Sequence, residues 1–187
     1  MNYSGIPERL RDEWRTPRRL FDLLNREVQF TIDAAATAEN ALCDRFWSQA
    51  DNALHQSWLN ERIYCNPPYS EIGLWVAKAH ASLMTSREHG GKVCIYMLLR
   101  SDLSTRWFHS YVFGYAQEII AIQPRVQFDP PIGYEGVYAN TPTFGSIVAV
   151  YAHTGRAENI TDTTRLTTLD WITGVRVRTN SAMEYDA

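Results

Sequence analysis

The sequence lacks the features that mark several common classes of protein. Its three cysteines, Cys43, Cys65 and Cys94, are odd in number, widely spaced and without a C-x-x-C pair, so no disulfide framework is expected. Its five histidines show no H-x-H or H-E-x-x-H spacing, so no metal is expected. No apolar stretch approaches the roughly 20 residues of a membrane span, and no signal peptide is expected because the first dozen residues are polar. These absences predict a cytoplasmic protein without a metal or a membrane partner.

The sequence also lacks an excess of positive charge. The formal net charge is −3 over 187 residues, whereas proteins that bind nucleic acids are usually basic. Residues 1–26 hold six arginines against four acidic residues, a small local excess. Taken alone, this charge pattern favours a solvated, salt-bridged surface.

Hydrophobic patterning predicts an α/β fold with a mostly parallel sheet flanked by helices. The continuous apolar run at 92–99 is typical of a strand buried on both faces. A first helix is expected to begin at Pro17, with Thr16 as its N-cap. The remaining ranges predict strands at 28–33, 62–65, 116–122 and 146–152, helices at 71–87 and 101–114, and a long loop at 123–145. No internal repeat is visible, so residues 1–187 are expected to form a single domain, with a core at 14–152 and a weakly patterned C-terminal extension at 153–187.

The stretch Asn66-Pro67-Pro68-Tyr69 directly follows the predicted strand at 62–65. Two prolines cannot continue a strand or lie inside a helix, so the turn is either functional or an accident of loop composition. The Asn66 side-chain oxygen and the Pro67 carbonyl would form a rigid pair of hydrogen-bond acceptors, and Tyr69 would offer a flat face to a base. Such a pair can hold the exocyclic amine of a purine for methylation without a strong base.

Asp33 also follows a predicted strand, so we expect Asp33 and Asn66 at the same edge of the sheet, where α/β proteins bind ligands. Ala34 and Ala35 would let the backbone approach a ligand closely. The alternative is an ordinary strand end with small residues. No G-x-G-x-x-G motif is present.

Seven stretches together resemble the phage-type DNA N6-adenine methyltransferase (Dam) family. In order they are DEWRTPRRLFDLLN, FTIDAAATAENALCDRFW, DNALHQSW, YCNPPYS, RSDLSTRWFH, PRVQF and TPTFGSIVAVY, which span about residues 12–152. The resemblance implies a single methyltransferase domain of Rossmann-like fold that uses S-adenosylmethionine. It further implies methyl transfer to adenine N6 in double-stranded DNA, with base flipping and GATC as the target. A phage-encoded protein of this kind would act in the cytoplasm of the bacterial host.

The resemblance also implies a role for individual residues. The implied catalytic residues are Asn66, Pro67, Pro68 and Tyr69. The implied cofactor-binding residues are Thr16, Pro17, Asp33, Ala34 and Ala35, with Asp44 and Asp51 as alternatives for the ribose. The implied base-pocket and DNA residues are Tyr69, Ser70, Arg125 and Phe128, although Phe128 could equally be a packed loop residue.

Two other functions stay open at this point. The first is methylation of a protein glutamine or of an RNA base, which uses the same four-residue motif. The second is a non-catalytic DNA-binding module that keeps the fold, which the absence of a glycine-rich loop and the net negative charge both allow.

Overall fold

The fold is a seven-stranded mixed sheet with a helix packed on each face. It is known from a computed structural model that describes residues 6–136, 144–155 and 164–178. The strands are β1 (Ile32–Asp33), β2 (Arg62–Cys65), β3 (Val93–Arg100), β4 (Glu118–Gln123), β5 (Ser146–His153), β6 (Arg165–Asp170) and β7 (Arg176–Arg178). The α-helices of these ranges are α1 (Arg18–Val28) and α2 (Ile72–His89). Neither of them is long and apolar enough to cross a membrane.

The strand order is β1-β2-β3-β5-β4-β6-β7, and three of the six pairings are parallel. The other three are antiparallel, because β5 and β7 run against the remaining strands. The α/β class is confirmed, but the sheet is mixed rather than mostly parallel. Parallel neighbours need a crossover connection, usually a helix. The described part of the chain between β4 and β5 contains no helix, and these two strands pair as antiparallel neighbours.

Strand β2 places the N-P-P-Y stretch through a β-α-β unit. Strands β2 and β3 pair in parallel and are joined by α2, the kind of crossover that parallel neighbours require. Alternate residues of β2 face opposite sides of the sheet. Ile63 and Cys65 pack in the cluster that contains Val76 of α2, whereas Tyr64 packs with Phe21 of α1. The end of β2 is therefore held firmly from both faces.

The start of the first helix differs from the prediction. Pro17 is the N-cap residue, the helix begins at Arg18, and no side chain caps it. The Thr16 hydroxyl instead hydrogen-bonds the Tyr64 hydroxyl at 2.6 Å, so the prediction that Thr16 caps the helix is wrong. At the other end, Gln29 adopts a left-handed conformation after the helix, which leaves only Ile32–Asp33 as a strand in place of 28–33.

Two further predictions change in the second half of the chain. The helix expected at 101–114 is reduced to a π-helix over Phe108–Val112. The expected C-terminal extension contributes β6 and β7, which join the same sheet through β4. The parts of the predicted loop and extension at 137–143, 156–163 and 179–187 lie outside the described residues.

Candidate active site

A cleft that is open to solvent lies at the carboxyl ends of β1 and β2. Asp33 ends β1 and Asn66 follows β2, and the two strands pair in parallel, so both residues reach the same edge as expected. The other walls come from the segment at 12–16, before α1, and from the loop after β1. The lining residues are Asp12, Glu13, Trp14, Arg15, Thr16, Asp33, Ala35, Asn40, Leu42, Tyr64 and Asn66.

The Asn66 amide is oriented by a main-chain contact. Its Nδ2 donates a hydrogen bond to the Trp14 carbonyl at 3.0 Å, which leaves Oδ1 as the acceptor of this half-buried side chain. Neither Oδ1 nor the carbonyl of the adjacent Pro67 accepts a hydrogen bond from another described residue. Of these two neighbouring acceptors, Asn66 lines the cleft, whereas Pro67 is buried and is not among the lining residues.

The 12–16 segment is tied to β2 and to the residue after the N-P-P-Y stretch. The Asp12 carboxylate accepts hydrogen bonds from the Ser70 backbone N–H, at 3.0 Å, and from the Ser70 hydroxyl. Two residues beyond Trp14, Thr16 makes its bond to buried Tyr64. Every second residue of the segment thus contacts β2 or the turn after it.

The same segment reaches the loop that follows β4. Arg15 and Asp129 exchange two backbone hydrogen bonds of 2.9 Å, and the Arg15 Nε donates to the Pro130 carbonyl at 2.7 Å. The 12–16 segment therefore bridges the N-P-P-Y turn and the loop that carries Phe128.

Asp33 is a buried carboxylate in the wall of the cleft. Its oxygens accept hydrogen bonds from the backbone N–H groups of Leu42, at 3.1 Å, and Ala35, at 3.4 Å. Burial raises the pKa of Asp33 to about 6, although both hydrogen bonds lower it. The group is therefore mostly ionised at neutral pH, in a place where ionisation is unfavourable. Such a carboxylate favours a ligand that brings positive charge or hydrogen-bond donors.

Three aromatic rings meet beside the acceptor pair. The ring centroid of Tyr69 lies 6.3 Å from that of Phe128 and 5.8 Å from that of Phe144, both edge-on. The Arg100 guanidinium lies 5.1 Å from the Phe144 centroid. The Tyr69 hydroxyl is buried without a hydrogen-bond partner among the described residues, and burial raises the pKa of its phenol.

Several residues of this site were not predicted. Asp12, Trp14, Arg100 and Phe144 lie in stretches that resemble the family, but their residue types and spacing alone assign them no role. Phe144 lies in the stretch TPTFG and Arg100 in the stretch RSDL. The family resemblance therefore marked both positions, but it did not indicate what either side chain does.

The structure places the remaining predicted cofactor residues unequally. Pro17 is buried directly before α1, and Ala34 is buried with its N–H donating to the Tyr64 carbonyl at 2.9 Å. Asp44 and Asp51 are exposed and are not among the residues that line the cleft. Asp51 instead accepts hydrogen bonds from the backbone and hydroxyl of Ser48.

The predicted DNA residues also differ in position. Phe128 is buried against Tyr69, and Ser70 is exposed but held by Asp12. Arg125 is exposed on the loop after β4 and is not a lining residue of the cleft. Over the described ranges, no group of three or more His, Cys, Asp or Glu residues could hold a metal ion.

The structure is thus an α/β sheet with an oriented asparagine amide in a cleft at the carboxyl ends of parallel strands, followed in the sequence by two prolines and a tyrosine. The chain matches the family model described as DNA N-6-adenine-methyltransferase (Dam) over residues 3–168. The chain belongs to this family, and the resemblance seen in the sequence is confirmed.

Two phage relatives, both named DNA N-6-adenine-methyltransferase, show how far the similarity extends. The relative from Escherichia phage T1 is 40% identical over 107 residues, which cover 56% of this chain and 42% of the relative. The relative from Haemophilus phage HP1 is 28% identical over 124 residues, which cover 65% of this chain and 68% of the relative. The chain thus matches about two fifths of the length of the T1 relative.

Proposed function

We propose that the protein is an adenine-specific DNA methyltransferase, which transfers a methyl group from S-adenosylmethionine to N6 of adenine in double-stranded DNA. The observation that carries this proposal is the Asn66 amide, whose Nδ2 is held by the Trp14 carbonyl so that Oδ1 stays available beside the Pro67 carbonyl. Family membership supports the same reaction.

The pair of hydrogen-bond acceptors would make the exocyclic nitrogen of adenine a better nucleophile. The lone pair of an exocyclic adenine nitrogen is delocalised into the ring, which makes the nitrogen a poor nucleophile. Two acceptors that hold both of its N–H groups favour a more tetrahedral nitrogen with a directed lone pair. The methylated nitrogen then loses one proton to water. Asn66 and Pro67 would thus bind and orient the amine, and no side chain needs to act as a strong base.

The cleft suits a cationic cofactor. Apart from Asp12, whose carboxylate is hydrogen-bonded to Ser70, its lining contains two carboxylates, those of Glu13 and Asp33, against the single guanidinium of Arg15. A negative, partly buried wall favours a ligand that carries sulfonium and ammonium groups. When bound, S-adenosylmethionine would supply the methyl group as an electrophilic carbon.

Individual residues of this wall have distinct proposed tasks. Thr16 and Pro17 would border the cofactor, and the small residues Ala34 and Ala35 would allow close backbone approach. Among the acids proposed from the sequence, Asp33 faces the cleft, whereas Asp44 and Asp51 would have to act from outside its lining.

The aromatic cluster would receive the adenine after base flipping. Extruding a base costs a few kcal/mol, and stacking on Tyr69 and Phe128 offers a compensating contact of about 1–3 kcal/mol per base. Ser70 lies beside this cluster, next to Tyr69 in the sequence. Arg100 and Arg125 are proposed to contact phosphates, which position the duplex. We propose GATC as the target, on family resemblance.

The arrangement of the chain supports a compact Rossmann-like methyltransferase. The β2-α2-β3 unit is parallel, and the cleft lies beyond the carboxyl ends of parallel strands, where such folds bind ligands. We treat residues 1–187 as one methyltransferase domain that acts in the bacterial cytoplasm.

Methyl transfer from tritiated S-adenosylmethionine tests the proposal. The acceptors would be a GATC-containing DNA duplex, the same duplex already methylated at adenine N6, bulk RNA and a protein extract. We expect label in the unmethylated duplex alone. Label in RNA or protein, or no label in any acceptor, would refute the proposed function.

A further inference from the structure

The contact between Asp12 and Ser70 joins the N-terminal segment to the helix after the N-P-P-Y stretch. We propose that Asp12 is a positioning residue of the methyl transfer, which holds this helix start so that the acceptor pair keeps its geometry. The inference rests on the proposed function and concerns the same site.

Asp12 supplies the cap that the local sequence does not provide. The first N–H groups of a helix have no partner within the helix and are usually satisfied by a nearby side chain. Neither the 3-10 turn Tyr69–Glu71 nor α2 has a side-chain hydrogen bond from its own N-cap residue. Asp12, which lies 58 residues earlier, accepts the Ser70 N–H and the Ser70 hydroxyl with its two carboxylate oxygens. Its negative charge also suits a helix N-terminus.

This cap acts on the acceptor pair by two routes. Ser70 directly follows Tyr69, so the bond limits movement of the turn. Asp12 is also two residues before Trp14, whose carbonyl orients the Asn66 amide. A displacement of about 1 Å in a reacting group can reduce a rate about a hundredfold. Loosening either end of the 12–16 segment would therefore reduce turnover.

Asp12 also lines the cleft, which raises a competing role as a charged contact for the cofactor. The two roles differ in what they require. An asparagine could accept the Ser70 N–H with Oδ1 and donate to the Ser70 hydroxyl with Nδ2, so it keeps both bonds without the charge. A glutamate keeps the charge but moves its oxygens one carbon further from the backbone.

The test compares Asp12→Ala, Asp12→Asn and Asp12→Glu in the full chain. The matched control is Glu88→Ala, an exposed carboxylate at the other end of the same helix, which should behave as wild type. The measurements are kcat, KM for a GATC duplex, calorimetric affinity for S-adenosylmethionine, and thermal unfolding. Asp12 and Ser70 are both exposed, so little change in unfolding temperature is expected.

We expect Asp12→Ala to lower kcat about tenfold and Asp12→Asn to stay within about threefold of wild type. Asp12→Glu should be slower than Asp12→Asn, and all three variants should bind the cofactor within about threefold of wild type. The comparison of the Asn and Glu variants does not depend on the Ala variant folding.

Three results would overturn the inference: Asp12→Glu faster than Asp12→Asn, a loss of cofactor affinity at unchanged kcat, or wild-type turnover in Asp12→Ala. Each is measured against an active wild-type enzyme. An inactive wild-type protein would refute the proposed function, and this inference with it.

Discussion

Burial of Asp33 predicts a specific dependence of stability on pH. Its pKa rises from 3.8 to about 6 on folding, and each pKa unit corresponds to about 1.4 kcal/mol, so ionising Asp33 destabilises the folded state by about 3 kcal/mol. The folded-state pKa lies above the unfolded one. This destabilisation is therefore absent below about pH 4, grows as the pH rises from about 4 to 6, and is complete above that window.

The assay is urea unfolding of wild type and Asp33→Asn at pH values from 4 to 7.5, without cofactor. An asparagine changes the hydrogen bonds to Leu42 and Ala35, but this contribution does not titrate. The free energy of unfolding of wild type, minus that of the variant, should fall by about 3 kcal/mol across the window. A difference that stays constant, or that rises with pH, would refute the reasoning about Asp33.

Two further predictions concern hydroxyl groups beside the cleft. Thr16→Val or Tyr64→Phe alone should lower the free energy of unfolding by about 1–3 kcal/mol, because each leaves a buried hydroxyl unpaired, while the double variant should return close to wild type. Additive losses in urea unfolding of the double variant would contradict this. Tyr69→Phe removes a hydroxyl that has no partner among the described residues, so stability and methylation should persist, whereas Tyr69→Ala should lower kcat/KM for DNA roughly five- to a hundredfold through lost stacking. Loss of turnover in the Phe variant would instead show that the hydroxyl acts in the reaction.

The β-α-β unit could be predicted because its signals are local. The apolar run at 92–99 became Val93–Arg100, and the helix expected at 71–87 became Ile72–His89. Both elements bury continuous or helically spaced apolar residues, so neighbours in the sequence already define them. The N-P-P-Y stretch marked the junction between strand and helix.

Strand β6 could not be predicted, because its stabilising contacts come from distant parts of the chain. Thr167 is buried, and its hydroxyl donates to the Glu118 carboxylate at 2.7 Å. Arg176 pairs with the same carboxylate at 2.9 Å. A threonine-rich stretch has no strong apolar period, and only pairing with β4 makes it a strand.

The positions of Asp33 and Asn66 in the candidate site could be predicted from the sequence, whereas the contacts of the 12–16 segment could not. Asp33 and Asn66 follow parallel neighbouring strands, so their common edge follows from topology. The contacts of the 12–16 segment with β2 and the turn after it join residues 48 to 58 positions apart, between Thr16 and Tyr64 and between Asp12 and Ser70. From the sequence, Thr16 could equally be a helix N-cap or a residue of the cleft. In the structure its hydroxyl bonds the distant Tyr64 and does not cap the helix.

The most direct test of the acceptor pair is mass-spectrometric quantification of N6-methyladenine in a GATC duplex treated with wild type or Asn66→Ala. Removing one oriented hydrogen-bonding group from a reacting centre typically lowers kcat about a hundred- to a thousandfold. The account predicts at least this loss in the variant, with calorimetric binding of S-adenosylmethionine unchanged. Turnover by Asn66→Ala at the wild-type rate would contradict the account.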